Sequence, residues 1–187
     1  MLVRWKKFDF QRRICPMKMK DLFLEELKRE EAATRKALER VPEGENDWVP
    51  HEKSMKLGYL ASLVASMPSW LEMMINQDEL DFAPTDPAKQ FKPFEWTKTS
   101  ELVALFDESM KKGIAALEGT TDEHLMTNWK LIAAGHLISD DPRYINILNG
   151  MLMHWAHHRG QLTVYLRLKE AAVPAIYGPS ADEKLTF

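Results

Sequence analysis

The stretch His154-Trp-Ala-His157-His158-Arg-Gly-Gln161-Leu sets three imidazoles within five residues. On a helix, positions 154 and 158 lie one turn apart and about 40° around the axis, so both rings can aim at one point. That is the spacing at which helical His-x-x-x-His pairs hold a metal ion. Stepping at about 100° per residue puts Ile147, Met151, His154, His158, Leu162 and Tyr165 on one stripe, which turns the pair toward a packed interior. His157 falls about 60° to one side of His154 and borders that stripe. Imidazoles on an apolar face need partners, because an unpaired buried polar group is costly. A divalent metal is one solution; hydrogen bonds to side chains or water are the other.

The remaining histidines, His51, His124 and His136, fall in expected loops or at helix edges, where exposure is the default. The chain holds no His-Glu-x-x-His pattern, no phosphate-binding glycine loop and no serine nucleophile elbow. Cys15 is the only cysteine, and no base stands near it in sequence, which argues against nucleophilic cysteine chemistry. A single cysteine also excludes an intramolecular disulfide and a Cys-rich zinc site, so a reducing cytoplasm is the expected compartment. A formal charge of -3 gives no electrostatic reason to expect nucleic acid. No apolar run approaches the roughly 18 residues that span a bilayer, so no membrane association is expected.

The elements that must position the histidines read as four helices. Residues 21 to 41 carry Leu24, Leu27, Leu38 and Val41 near helical spacing, with Asp21 as the expected N-cap and Pro42 and Gly44 ending the run. A second helix begins after Ser54, with Leu57, Leu60, Ala61 and Val64 on one face and a kink or end at Pro68. Pro84, Pro87 and Pro93 mark residues 77 to 97 as a long irregular crossover. The third helix starts near Ser100 on a stripe of Leu102, Leu105, Phe106, Met110, Ile114 and Leu117, and stops at Gly119. Residues 128 to 142 suggest a short hairpin around Gly135. Asp141-Pro142 then opens the histidine helix, which runs to about Ala171. The expected class is all-α, a four-helix bundle with a long crossover between helices two and three, over residues 19 to 187. Residues 1 to 18 read as a basic, poorly ordered N-terminal extension.

At His154-Trp-Ala-His-His158-Arg-Gly-Gln161-Leu the chain resembles the DinB/YfiT-like superfamily, whose members close their bundle with a His-x-x-x-His-Arg-Gly-Gln helix. The resemblance takes in Arg40-Val41-Pro42, Pro50-His51-Glu52-Lys53-Ser54-Met55, Tyr165-Leu166-Arg167-Leu168 and the tail from Tyr177 to Glu183. It implies an up-down-down-up bundle, often a homodimer, with nickel or zinc held by three histidines. Two of these map onto His154 and His158. The third belongs on helix two, where Leu63 stands here, and leucine cannot ligate. His51 cannot take its place, because twelve residues of helix put it about 18 Å along the axis. Gln161 and His157 are expected around the pair rather than as its ligands. Arg159 is expected to pack or pair outside the metal face, with Gly160 allowing a neighbouring helix to approach.

Two functions follow. One is a divalent-metal-dependent enzyme, a transferase or isomerase that uses a low-molecular-weight thiol as cosubstrate, or a hydrolase, acting on a small molecule. The other is a non-catalytic, stress-associated dimeric bundle that binds a small ligand or none. Met67, Trp70, Met73 and Met74 around Pro68 are the expected apolar patch for a two-fold dimer.

Overall fold

The structure, a computed structural model, describes residues 17–184. The expectations for the basic arm and Cys15 concern residues outside that range; of the expected extension only Met17 and Lys18 are described.

Helix α1 (Met19–Leu38) buries Phe23, Leu27, Glu30, Thr34, Ala37 and Leu38, at the spacings of three and four that a packed helix face needs. Asp21 does not cap it. Lys18 holds the N-cap position without a side-chain bond. The cap comes from about a hundred residues away: the Asp122 carboxylate accepts the amides of Met19 (2.9 Å) and Lys20 (3.0 Å). In return, Lys20 Nζ donates to the carbonyls of Glu118 and Thr120 at the end of α4 (Thr99–Gly119). An anion at one helix N-terminus and a cation at another's C-terminus both suit the helix dipoles.

The amides of Lys20 and Met19 hold the Asp122 carboxyl below its ordinary pKa. Arg167 does the same for Asp182 and Arg40 for Glu183, the two acids that tie the tail to the helices. A carboxyl depressed by folding stabilises the fold above its unfolded pKa, and that stabilisation is lost as pH falls through the folded value. The thermal midpoint should therefore hold at neutral pH and drop below about pH 4. Calorimetry of Asp122→Asn should show a deficit at pH 7 that narrows as pH falls; a constant deficit would contradict this origin.

Helix α2 (Leu57–Ser66) passes through a 3-10 turn (Met67–Ser69) into α3 (Trp70–Asn76), so Pro68 kinks the run as expected. Gly113 on α4 lies against the kink. A Cβ there would stand 2.5 Å from the Pro68 carbonyl oxygen, so only glycine permits this approach. The kink also turns Met67 and Met74 into the core and leaves Trp70 and Met73 half-buried. The expected dimer patch is thus largely absent from the surface.

The fold is mostly helical but not all-α, since a three-stranded sheet in the order β1-β2-β3 accompanies the helices. Strands β2 (Asn128–Ala133) and β3 (His136–Pro142) form the expected hairpin. The 77 to 97 connection is not wholly irregular: β1 (Glu79–Asp81) pairs in parallel with Lys130, Leu131 and Ile132. Its last residue explains the turn. Ala134 and Gly135 both have positive φ, 50° and 78°, as a two-residue hairpin turn demands. The Asp81 carboxylate accepts both their amides at 3.0 Å.

After short helices α5 (Asp122–Leu125) and α6 (Arg143–Ile145), a π-helical stretch (Asn146–Met153) leads into α7 (His154–Leu168). The buried Arg143 guanidinium donates to the Met74 and Gln77 carbonyls, fastening the start of this last helix to the end of α3. Helix α4 packs on α1, α2 and α3, and α7 packs on α2 and α1, around one core.

Candidate functional site

Helix α7 lies antiparallel to the α2–α3 segment. Gly150 sits beside Met74, and the His154 ring is 5.9 Å from the Trp70 ring. Trp155 Nε1 donates to the Val64 carbonyl (2.9 Å), and the Tyr165 hydroxyl donates to the Met55 carbonyl (3.2 Å). This order brings Leu63, itself buried, level with the turn that carries His158. His158 is only 4 % exposed, His154 is half-buried at the rim, and His157 faces solvent.

The hydrogen bonds decide which ring nitrogens are free. His154 Nδ1 lies 3.3 Å from the Gly150 carbonyl oxygen, and His158 Nδ1 lies 2.8 Å from Gln161 Oε1. Oxygen partners favour a proton on each Nδ1, which turns the Nε2 atoms toward each other as acceptors. The two Nε2 atoms are 2.8 Å apart. At that distance either one ring donates an N–H to the other, or a cation stands between two lone pairs. Burial lowers the His158 pKa; the Gln161 bond opposes this, and His154 and His157 add to it. The neutral ring thus favoured is the form that ligates metals.

The donor set suits a borderline divalent ion such as zinc or nickel at two positions. Two imidazole nitrogens on a tetrahedral zinc stand about 3.3 Å apart, so this pair needs to open by only about 0.5 Å. The three-ligand centre is not preformed. Among the described residues, no group of three His, Cys, Asp or Glu side chains is placed to hold a metal.

The other expected residues are scattered. His51 and His136 are exposed, and His124 Nε2 bonds the Ile75 carbonyl at 2.8 Å, tying α5 to α3. A Cβ on Gly160 would meet nothing within 4 Å, so this glycine does not serve helix packing. Arg159, 1 % exposed, turns away from the histidines. Its guanidinium pairs with Glu30 and donates to Thr34 Oγ1 (2.8 Å) and the Tyr177 hydroxyl oxygen (2.6 Å). Glu30 and Thr34 were unassigned from sequence, although two polar residues on an otherwise apolar stripe are the signal that a buried partner exists. Cavities of about 290 and 540 Å³ lie against α4, beside α3 and α1, and contain no histidine. No described helix is long and apolar enough to cross a membrane.

Solved structures share this fold. A DinB-like protein of Bacillus subtilis (YjoA) superposes with a TM-score of 0.63 at 17 % identity, covering 88 % of this chain and 99 % of that one. A DinB-like protein of Bacillus cereus gives 0.62 at 21 % identity, covering 83 % and 95 %. At such identities the likeness speaks to fold alone. An uncharacterized Bacillus subtilis protein, YrdA, is 43 % identical over 42 residues, only 22 % of this chain and 25 % of that protein. The DinB family model matches residues 17–184. That match runs from just ahead of α1, through the histidine helix, to the tail that closes over Arg159, and the chain therefore belongs to the DinB family.

Proposed function

We propose that this chain is a divalent-metal-binding DinB protein, an up-down-down-up four-helix bundle in which His154 and His158 hold nickel or zinc through Nε2. The observation that supports it best is the pair of Nδ1 contacts with oxygen acceptors, which favour Nδ1–H on both rings and turn their Nε2 atoms toward each other at 2.8 Å. When bound, such an ion supplies Lewis acidity of the kind used by thiol-dependent transferases, isomerases and hydrolases. The chain's own part is orientation. Gln161 keeps His158 in its Nδ1–H form and Gly150 does so for His154, as outer partners of metal-bound histidines do. Trp70 stands beside His154 from the α3 side. A small-molecule substrate, a low-molecular-weight thiol and a cytoplasmic setting complete the reading.

Leu63 favours a second reading, a non-catalytic bundle, because it stands where the family resemblance calls for a ligand. Equilibrium dialysis of protein made without a histidine tag separates the two. Against micromolar zinc or nickel, wild type should take up one ion per chain and His158→Ala none; no uptake by wild type would leave the non-catalytic reading.

A homodimer belongs to the same proposal, although its face is not the Met67–Met74 cluster. Val164 and Leu168 on α7, and Met153 immediately ahead of it, each more than half exposed, form the better apolar strip. Light scattering should give twice the chain mass, lowered to one by Val164→Glu. A monomeric wild type would sink the dimer.

A further inference from the structure

We infer that the π-helical stretch Asn146–Met153 positions His154: its shifted hydrogen-bond register frees the Gly150 carbonyl for the His154 ring and so turns Nε2 toward His158. The consequence for metal rests on the reading of His154 and His158 as ligands; the positioning itself does not.

An α-helix pairs each amide with the carbonyl four residues back, so a regular helix would spend the Gly150 carbonyl on the His154 amide. Here the His154 amide donates to the Met151 carbonyl instead. The Gly150 carbonyl oxygen then stands 3.3 Å from Nδ1 of the ring four residues on. His158 shows the contrast. It lies within the regular helix α7, and its Nδ1 meets a side chain, Gln161 Oε1, at 2.8 Å. One ring is thus oriented by a side chain and the other by a backbone register.

The register is held from both ends. Ahead of it, the Arg143 guanidinium donates to the Met74 carbonyl (2.7 Å) and the Asp78 carboxylate (2.8 Å). Asn146 Nδ2 donates to the carbonyls of Asp141 (3.2 Å) and Pro142 (3.3 Å). Behind it, Trp155 is buried and bonded to the Val64 carbonyl. Ile147 and Met151 between these anchors are both 0 % exposed. A helix pinned in this way cannot shed a surplus residue by sliding or turning. Wide π turns, whose bonds close over five residues, accommodate it. Gly150 sits at the tight point, where a Cβ would press the Met74 methyl at 3.3 Å. Such turns are rare and occur frequently at functional sites, and this one ends on the residue before His154.

Deleting Asn149, an exposed residue of the stretch, removes the surplus residue and leaves Gly150 four places before His154. The readout is long-range nitrogen-15 NMR of the metal-free, tag-free chain. Wild type should hold the His154 proton on Nδ1. In the deletion variant the Gly150 carbonyl returns to the His154 amide, so the His154 ring should move largely to its Nε2–H form. His158, held by Gln161, should not change. Zinc affinity should fall about tenfold or more, the usual cost of losing an outer partner of a metal-bound histidine. An unchanged His154 tautomer in a folded deletion variant would overturn the inference. Where the deletion prevents folding, couplings through hydrogen bonds in wild type decide: a His154 amide coupled to the Met151 carbonyl supports the inference, and one coupled to the Gly150 carbonyl overturns it. A wild type that takes up no zinc while the tautomer shift is seen removes the metal reading and leaves the positioning of His154 in place.

Discussion

Arg159→Ala should cost the fold about 3–5 kcal/mol in urea unfolding, the usual penalty for breaking a buried ion pair from one side. The guanidinium is 1 % exposed and pairs with a Glu30 side chain that is itself 10 % exposed. Thr34 accepts one of its N–H groups, and Tyr177 bridges it to Glu30, donating its hydroxyl to Oε2 at 3.1 Å. Truncation leaves the Glu30 carboxylate buried without its cation. Replacing both partners with apolar residues of similar size, as in Glu30→Leu with Arg159→Met, should recover most of the loss, because no charge is then stranded. A single-variant loss below about 1 kcal/mol, typical of exposed pairs, would mean that water reaches the cluster.

Leu63→His should raise zinc or nickel affinity about 100-fold or more, because it adds a third imidazole to the His154–His158 pair. The variant carries its own control. An imidazole at a site now 7 % exposed is unsatisfied without metal, so its metal-free thermal midpoint should fall below wild type and recover as zinc is added. Metal affinities that do not change on Leu63→His would show that α2 does not face the histidine pair at this level.

Much of this was legible in the sequence, and the reasons differ by element. The long helices declare themselves through apolar residues at spacings of three and four, and the hairpin through Gly135 between two short apolar runs. The i, i+4 arithmetic for His154 and His158 needs nothing beyond helix geometry. Strand β1 was not readable, because three residues are too few to show alternation and Pro84 and Pro87 follow closely. The cap on α1 was not readable either: Asp122 acts across the fold, and no local pattern announces it. Met67 and Met74 misled because they follow the stripe of a straight helix only until Pro68 turns the chain. Most consequential are the acceptors on Nδ1. Gly150 and Gln161 lie four residues before His154 and three after His158, within reach by spacing, but which atom meets which nitrogen is a matter of rotamers.

Long-range nitrogen-15 NMR of the histidine rings, recorded on tag-free protein before and after zinc, tests the central claim most directly. The account predicts that His154 and His158 keep protons on Nδ1 throughout, and that both Nε2 resonances move together as one equivalent of zinc is added. Zinc that leaves both Nε2 signals in place, or a His158 ring protonated on Nε2 with Nδ1 bare, would contradict it.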